Sequence, residues 1–237
     1  SLFDQKHFVE IGSASLISYV NSFKNAIRYL ARVKLQDSGA VNVAITQNHL
    51  PSAGGSLLHP HLQIQADRIP ANYQRFLKNR CRRYYRDHRS LILSDYLHWE
   101  NRQQERVIGS TGDWQWLAAF APEGFYEIWG VLPGVFSLQS LSDEHIVDVC
   151  RGVLHAQRFY RSLNRNGYNL GLLCIEEADS CLELRVVMMV RSNYAPWVRN
   201  DHTGFELMLG DMATFVPPEQ TAALARPFWT KQRKFIS

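Results

Sequence analysis

Two imidazoles and two amides stand at alternate positions in one short stretch: His59, His61, Gln63 and Gln65, separated by Pro60, Leu62 and Ile64. In an extended strand successive side chains point to opposite faces, so these four polar groups share one face while Leu58, Leu62 and Ile64 turn toward a core. Pro60 has no N–H to give to a neighbouring strand, which places the stretch at a sheet edge or a strand start, where a ligand can reach the backbone. Just before it, Gly54, Gly55 and Ser56 can present backbone amides and a hydroxyl to an anion, because glycine allows both unusual dihedrals and close approach.

This combination suits attack on phosphorus. A neutral imidazole is available near neutral pH, and the phosphoramidate it forms can be transferred again. The second ring nitrogen must then keep its proton and donate it to a fixed acceptor, or the nucleophilic lone pair has no set direction. His61 is the candidate nucleophile. Gln63, two positions on, is placed to donate to a non-bridging phosphate oxygen as charge develops there. The plain alternative is a pair of surface histidines on an edge strand; the glycine-serine loop on one side and the glutamine on the other decide against it.

The elements that must hold these residues follow from periodicity. Leu16, Ile17, Val20, Phe23, Ile27 and Leu30 recur at helical spacing behind Ser13 and Ser15, which predicts a helix over 14–33. Alternation at Val41, Val43 and Ile45 predicts a half-buried strand running into a polar loop from Asn48 to Ser56, and a second strand covers 58–66. A helix over 71–87, strands over 104–109, 114–121 and 126–132, a long helix capped by Ser142, and strands over 168–175 and 182–190 come next. Pro217, Pro218 and Glu219 open a last helix that ends near Trp229. The order is a rough duplication, which predicts an α+β protein of two related halves, 1–95 and 96–237, sharing an interface.

Composition narrows the class. With 237 residues, 46% apolar and 20% charged, the chain can build one large domain or two small ones, which excludes disorder, collagen and a disulfide scaffold. No apolar run approaches the roughly eighteen residues of a bilayer span, and the start lacks a basic-then-apolar signal pattern, so no membrane partner is expected. Cys81, Cys150, Cys174 and Cys181 stand far apart, which argues against a disulfide framework and fits a reducing cytoplasm. The formal charge of +4 is mild. The basic cluster from Lys78 to Arg86 reads as a solvated helix face, and nucleic acid is not an expected partner.

The segment with Asn48, Gly55, Ser56, His59, Pro60, His61 and Gln63 resembles the active-site segment of the galactose-1-phosphate uridylyltransferases, a branch of the histidine-triad superfamily that includes ADP-glucose phosphorylase and, more distantly, diadenosine tetraphosphate phosphorylase. Weaker similarity runs through Tyr84 to His88, Ser94 to Leu97, Glu105 to Val107, Gly204 to Leu207 and Val216 to Ala223, so that it covers essentially the whole chain. The resemblance implies two histidine-triad-like halves, each an antiparallel sheet with packed helices, in a homodimer. It implies His61 as the nucleophile of a nucleotidyl-histidine, with Ser56 and Gln63 on the phosphates, Asn48 on the nucleotide and Glu206 on the sugar phosphate. His59 becomes a metal ligand, with His7 as a second, or else a buried structural histidine.

Departures from that pattern define the alternatives. The family's N-terminal portion, with the paired cysteines of its zinc site, has no counterpart before Ser1, so the first half is expected to be incomplete and zinc rests on His59 and His7. Leu91 and Ser94 stand where relatives carry a second cysteine pair, and neither can be a thiolate ligand. Leu184, Arg185, Val186 and Val187 replace metal-binding histidines on a strand, while Asp211 and Met212 do not match the hexose-binding pair. The leading expectation is a nucleotidyltransferase acting on a nucleotide sugar and a sugar phosphate or inorganic phosphate by double displacement through His61. Alternatives are a relative that binds nucleotides or a partner without turnover, and a nucleotide phosphorylase or hydrolase. Glu176, Glu177 and Asp179 read as a solvated loop between strands. Trp114, Trp116, Phe120, Phe125, Tyr126 and Trp129 read as a packed core or a dimer interface in preference to a base-stacking surface.

Overall fold

Seven strands of alternating character form one continuous antiparallel sheet in the computed structural model, which describes residues 15–39, 42–56, 59–176, 180–191, 208–209 and 214–230. In chain order the elements are α1 (Leu16–Gln36), β1 (Asn42–His49), β2 (Gln63–Asp67), α2 (Asn72–His88), α3 (Ile92–Gln103), β3 (Val107–Thr111), β4 (Trp114–Ala118), β5 (Phe125–Val131), α4 (Asp143–Ser162), β6 (Tyr168–Ile175), β7 (Arg185–Val190) and α5 (Pro218–Thr230). The strand order is β2-β1-β6-β7-β5-β4-β3. The sheet crosses the expected junction of halves: β1 pairs along its whole length with β6, and residue 95 falls inside α3.

Side-chain alternation gives the sheet two unlike faces. Val43 and Ile45 on β1, Leu170 and Leu172 on β6, and Val186, Met188 and Val190 on β7 all turn one way, into a core shared with Phe23 and Leu30 of α1 and Val149, Val153 and Phe159 of α4. The helices bring matching apolar stripes. Ser15 caps α1 by accepting from the Ser18 amide, and Ser142 caps α4 in a reciprocal arrangement with His145. Trp114 and Trp116 are fully buried here, as core residues, whereas Phe120 departs from the expected core and is exposed. The opposite face, with Asn48, Gln65, Asn169, Gly171 and Arg185, is polar, and α2 and α3 cover only its far end through a smaller cluster around Leu93, Leu97, Val131 and Ile175.

Three buried polar links tie the layers together. The Gln47 side-chain oxygen accepts from the hydroxyls of Tyr19 and Tyr168, both at 2.9 Å, and Gln157 Nε2 donates to the same two hydroxyls, so α1, β1, α4 and β6 share one satisfied network. Buried Arg106 donates through Nε to Glu100 of α3 at 2.7 Å and through Nη1 to Glu219 of α5 at 2.5 Å. Glu176 departs from the solvated loop expected of it. Its carboxylate is buried, pairs with Lys34 of α1 and accepts from the Leu138 amide and Ser137 hydroxyl. Glu177 and Asp179 lie outside the described residues.

The predicted elements otherwise differ in two places. The helix α3 was not anticipated, because its apolar residues Ile92, Leu93, Tyr96 and Leu97 come in adjacent pairs at the point where the pattern suggested a boundary. Strand β2 begins at Gln63, five residues later than predicted, and its last pairing is Gln63 with Thr46.

Close packing of α4 on the sheet supplies a test. A Cβ placed on Gly152 would lie 1.9 Å from Trp116 Cζ2. On an exposed helix surface Gly→Ala stabilises by about 1 kcal/mol; overpacking a rigid indole costs about 1–3 kcal/mol and outweighs it. Gly152→Ala is therefore expected to lower the urea midpoint, with the slope unchanged.

Candidate active site

Between β1 and β2 the chain turns through a short 3-10 helix, Pro51–Ala53, entered through Leu50 at φ 74° and left through Gly54 at φ 82°. Gly55 is needed for its size: a Cβ there would lie 2.8 Å from the Asn48 carbonyl oxygen. The turn is internally closed, which corrects the expectation that its glycine amides face an anion. The amides of Ala53 and Gly55 donate to the Leu50 carbonyl and that of Gly54 to the Pro51 carbonyl. Of the expected anion contacts in this loop, Ser56 remains exposed and unburdened by that closure.

His61 follows Pro60 at the sheet edge, as its sequence context required, but it does not continue the row of Gln63 and Gln65. Residues 59–62 lie outside the ladder, since Pro60 can neither donate to β1 nor adopt strand dihedrals freely. The His61 ring is partly buried and lines a cavity of about 100 Å3 with Ser18, Tyr19 and Ser22 of α1 and Gln47 of β1. Its Nδ1 lies 2.8 Å from the His59 carbonyl oxygen. A carbonyl only accepts, so Nδ1 carries the hydrogen, and in the neutral ring the lone pair is the one on Nε2. This is the ring geometry that nucleophilic attack requires. The buried Tyr19–Gln47 pair forms part of the wall beside it, so the ring is backed by groups whose hydrogen bonds are already made.

Gln63 and Asn48 do meet. Arg191 Nη1 donates to Asn169 Oδ1 at 2.9 Å; Asn169 Nδ2 donates to Asn48 Oδ1 at 2.6 Å and to the Ala53 carbonyl at 2.9 Å; Asn48 Nδ2 donates to Gln63 Oε1 at 3.0 Å. A guanidinium has donors and no acceptor, so it fixes the sense of every amide in the chain. The outcome is that Gln63 has its oxygen engaged and its amide N–H groups left for a ligand. Sequence reasoning missed Asn169 and Arg191. Asn169 occupies a polar-face position of a recognised strand, a usable signal, whereas Arg191 lies just past a strand end and is marked by nothing local.

Asn48, Gln63 and Gln65 line a cavity of about 360 Å3 on the polar face, which extends across β6 and β7 to Trp129, Glu127 and Arg185. His61 is not among its lining residues. Burial pushes the Glu127 carboxyl up to about 7, opposed by donation from the Trp129 indole at 2.5 Å and the Glu123 amide at 2.6 Å. His155, on the other face, is packed against Trp229, and burial holds it down at about 4.

Among the described residues no group of three or more His, Cys, Asp or Glu side chains could hold a metal ion, and His59 is exposed rather than a buried structural histidine. His7 and Glu206 lie outside the described residues. No described helix is long and apolar enough to cross a membrane.

No protein-family model matches the chain. An uncharacterized protein of Archaeoglobus fulgidus is 24% identical over 227 residues, 96% of this chain and 67% of that protein. Among solved structures, a uridylyltransferase mutant superposes with a TM-score of 0.81 at 16% identity, covering 94% of this chain and 74% of the other. An ADP-glucose phosphorylase from Arabidopsis thaliana with bound ADP-glucose gives 0.77 at 19% identity, covering 92% and 69%. The chain thus has the α+β fold of these enzymes.

Glu127 predicts a pH dependence of stability. Its carboxyl is raised from 4.5 to about 7 in the folded state, so its contribution is fully present below the unfolded value and is lost as pH rises through the folded one. The full loss corresponds to about 3 kcal/mol. Melting measured between pH 5 and 8 is expected to fall in the native protein by more than in Glu127→Gln, which has nothing to titrate at that position.

Proposed function

We propose that the chain is a nucleotidyltransferase or phosphorylase that acts on a nucleotide sugar through a covalent nucleotidyl-histidine at His61. The observation that carries the reading is the His61 ring at a sheet edge with its Nδ1 2.8 Å from the His59 carbonyl oxygen, a contact that leaves Nε2 as the nitrogen that bears the lone pair in the neutral ring. The fold shared with a uridylyltransferase and an ADP-glucose phosphorylase supports the same class of reaction.

In the first step Nε2 attacks the α-phosphorus, the N–P bond forms, and the bond to the bridging oxygen breaks with its electron pair leaving on the sugar phosphate. The imidazole becomes cationic while Nδ1–H stays on the His59 carbonyl, which gains strength as a charge-assisted hydrogen bond. In the second step an oxygen of an acceptor phosphate attacks the same phosphorus, the N–P bond breaks, and the neutral ring is restored. Gln63, its N–H groups turned outward by the Arg191–Asn169–Asn48 chain, donates to the phosphoryl oxygens.

A second reading, nucleotide binding without turnover, is favoured by one observation: His61 and Gln63 open onto different cavities. The two readings part in a labelling experiment. Incubation with ADP-glucose or UDP-glucose labelled in the α-phosphate is expected to leave an acid-labile, base-stable label that His61→Asn abolishes. Bound nucleotide with no covalent label, for both sugars, would establish the binding-only reading instead. Gln63→Ala is expected to slow labelling about 100-fold without removing it, measured by quenched time course.

A further inference from the structure

Positive charge is gathered on one helix. Between Asn72 and Arg89 the chain carries six arginines and one lysine against a single acid, Asp87, a surplus larger than the formal +4 of the whole protein. Gln74, Lys78 and Cys81 form the buried side of α2, which meets the smaller cluster through Cys81 and Leu77. At about 100° per residue, Arg75, Arg86, Arg83, Phe76, Asp87 and Arg80 follow one another around about 140° of the opposite side, and all of them are exposed.

Little on this face competes with an incoming anion. Asp87 is shared by Arg83 at 3.7 Å and Arg86 at 3.1 Å, and exposed pairs of this kind contribute little, so both guanidinium groups can exchange the carboxylate for another anion. Arg75 donates to the neutral Asn72 side chain at 2.9 Å. The Arg80 guanidinium lies 4.9 Å from the centre of the Phe76 ring, and Phe76 is 52% exposed. Arginine suits phosphate better than lysine because its planar fork meets two oxygens at once and stacks on rings. From Arg75 to Arg86 the helix rises about 16 Å, which matches about five phosphates of a stacked strand at about 3.4 Å each. An anionic membrane would meet the same charge, but the arc offers it one apolar side chain and no face to bury.

We propose that the outer face of α2 binds single-stranded nucleic acid. Arg75, Arg83 and Arg86 hold successive phosphates, and Phe76, with Arg80 on one side of its ring, offers the other side to an unpaired base. A duplex keeps its base faces inside the stack, so the surface favours a single strand. These contacts do not read the 2′-hydroxyl, so RNA and DNA are both ligands. This role goes beyond the solvated face expected of the basic cluster, and it does not involve His61.

The test is fluorescence anisotropy with a labelled decamer of mixed sequence, as single-stranded RNA, as single-stranded DNA and as the DNA duplex, at salt from about 50 to about 200 mM. Saturable binding of both single strands is expected, with log Kd rising against log salt at a slope of about 2–3, the value for three or four phosphates at about 0.7 each. Arg75→Gln/Arg83→Gln/Arg86→Gln is expected to weaken binding at least about tenfold and to lower the slope by about 2. Arg28→Gln/Arg32→Gln/Arg158→Gln removes the same charge from exposed positions on α1 and α4 and is expected to leave affinity and slope unchanged. Phe76→Ala is expected to weaken the single strands at least about fivefold with the slope unchanged, and to leave the duplex as it was. All seven side chains are exposed, so melting is expected to stay at the native value in every variant. His61→Asn is expected to bind as the native protein does. The proposal is overturned if no single strand binds at the lowest salt, or if the two triple variants weaken binding equally, which would mark net charge without a site. It is also overturned if Phe76→Ala binds as the native protein does, or if phosphatidylserine vesicles bind where the decamers do not, which would make the face a membrane surface.

Discussion

Strict alternation along β1, β6 and β7 governs the molecule. These three strands lie side by side in the middle of the sheet, and each sends every second residue into the core beneath α1 and α4. A shift of one residue in any of them would exchange Val and Leu for Asn, Gly and Arg, so burial of the apolar set fixes the register firmly. The polar cavity is the other half of that arrangement. Its walls are whatever remains after the core has taken its share, which is why Asn48, Asn169 and Arg185 converge although they are far apart in sequence.

Where the alternation ends, the candidate site begins. The ladder between β1 and β2 stops at Thr46 and Gln63, and the four residues before it, held out by Pro60, swing His61 toward α1. The imidazole and the amides consequently face two sides of one sheet edge.

Much of this could be read from residue order. Ser142 and the strand 168–175 stand where the residue order put a cap and a strand, Ser15 caps the helix for which Ser13 was an equal candidate, and the proline within the His-Pro-His segment placed it at an edge. What escaped was non-local. A period-two pattern says that His61 and Gln63 share a face only if both are in the strand, and the sequence carries no mark of where pairing stops. The glycine turn read as an anion cradle because its amides were counted before their partners at Leu50 and Pro51 were known. Glu176 looked like part of a solvated acidic run because Lys34 is 142 positions away in sequence.

The two carboxylates on Arg106 bear on how the chain comes apart. Glu100 sits on α3 and Glu219 on α5, so a single guanidinium stitches the last described helix to one from the middle of the chain. Peeling α5 away by itself would leave buried Arg106 with one of these two acids instead of both, and would uncover Trp229 where it leans on Trp116. The last described helix is thereby tied to the sheet by an ion pair and by an indole contact together, so its detachment costs core packing as well as charge.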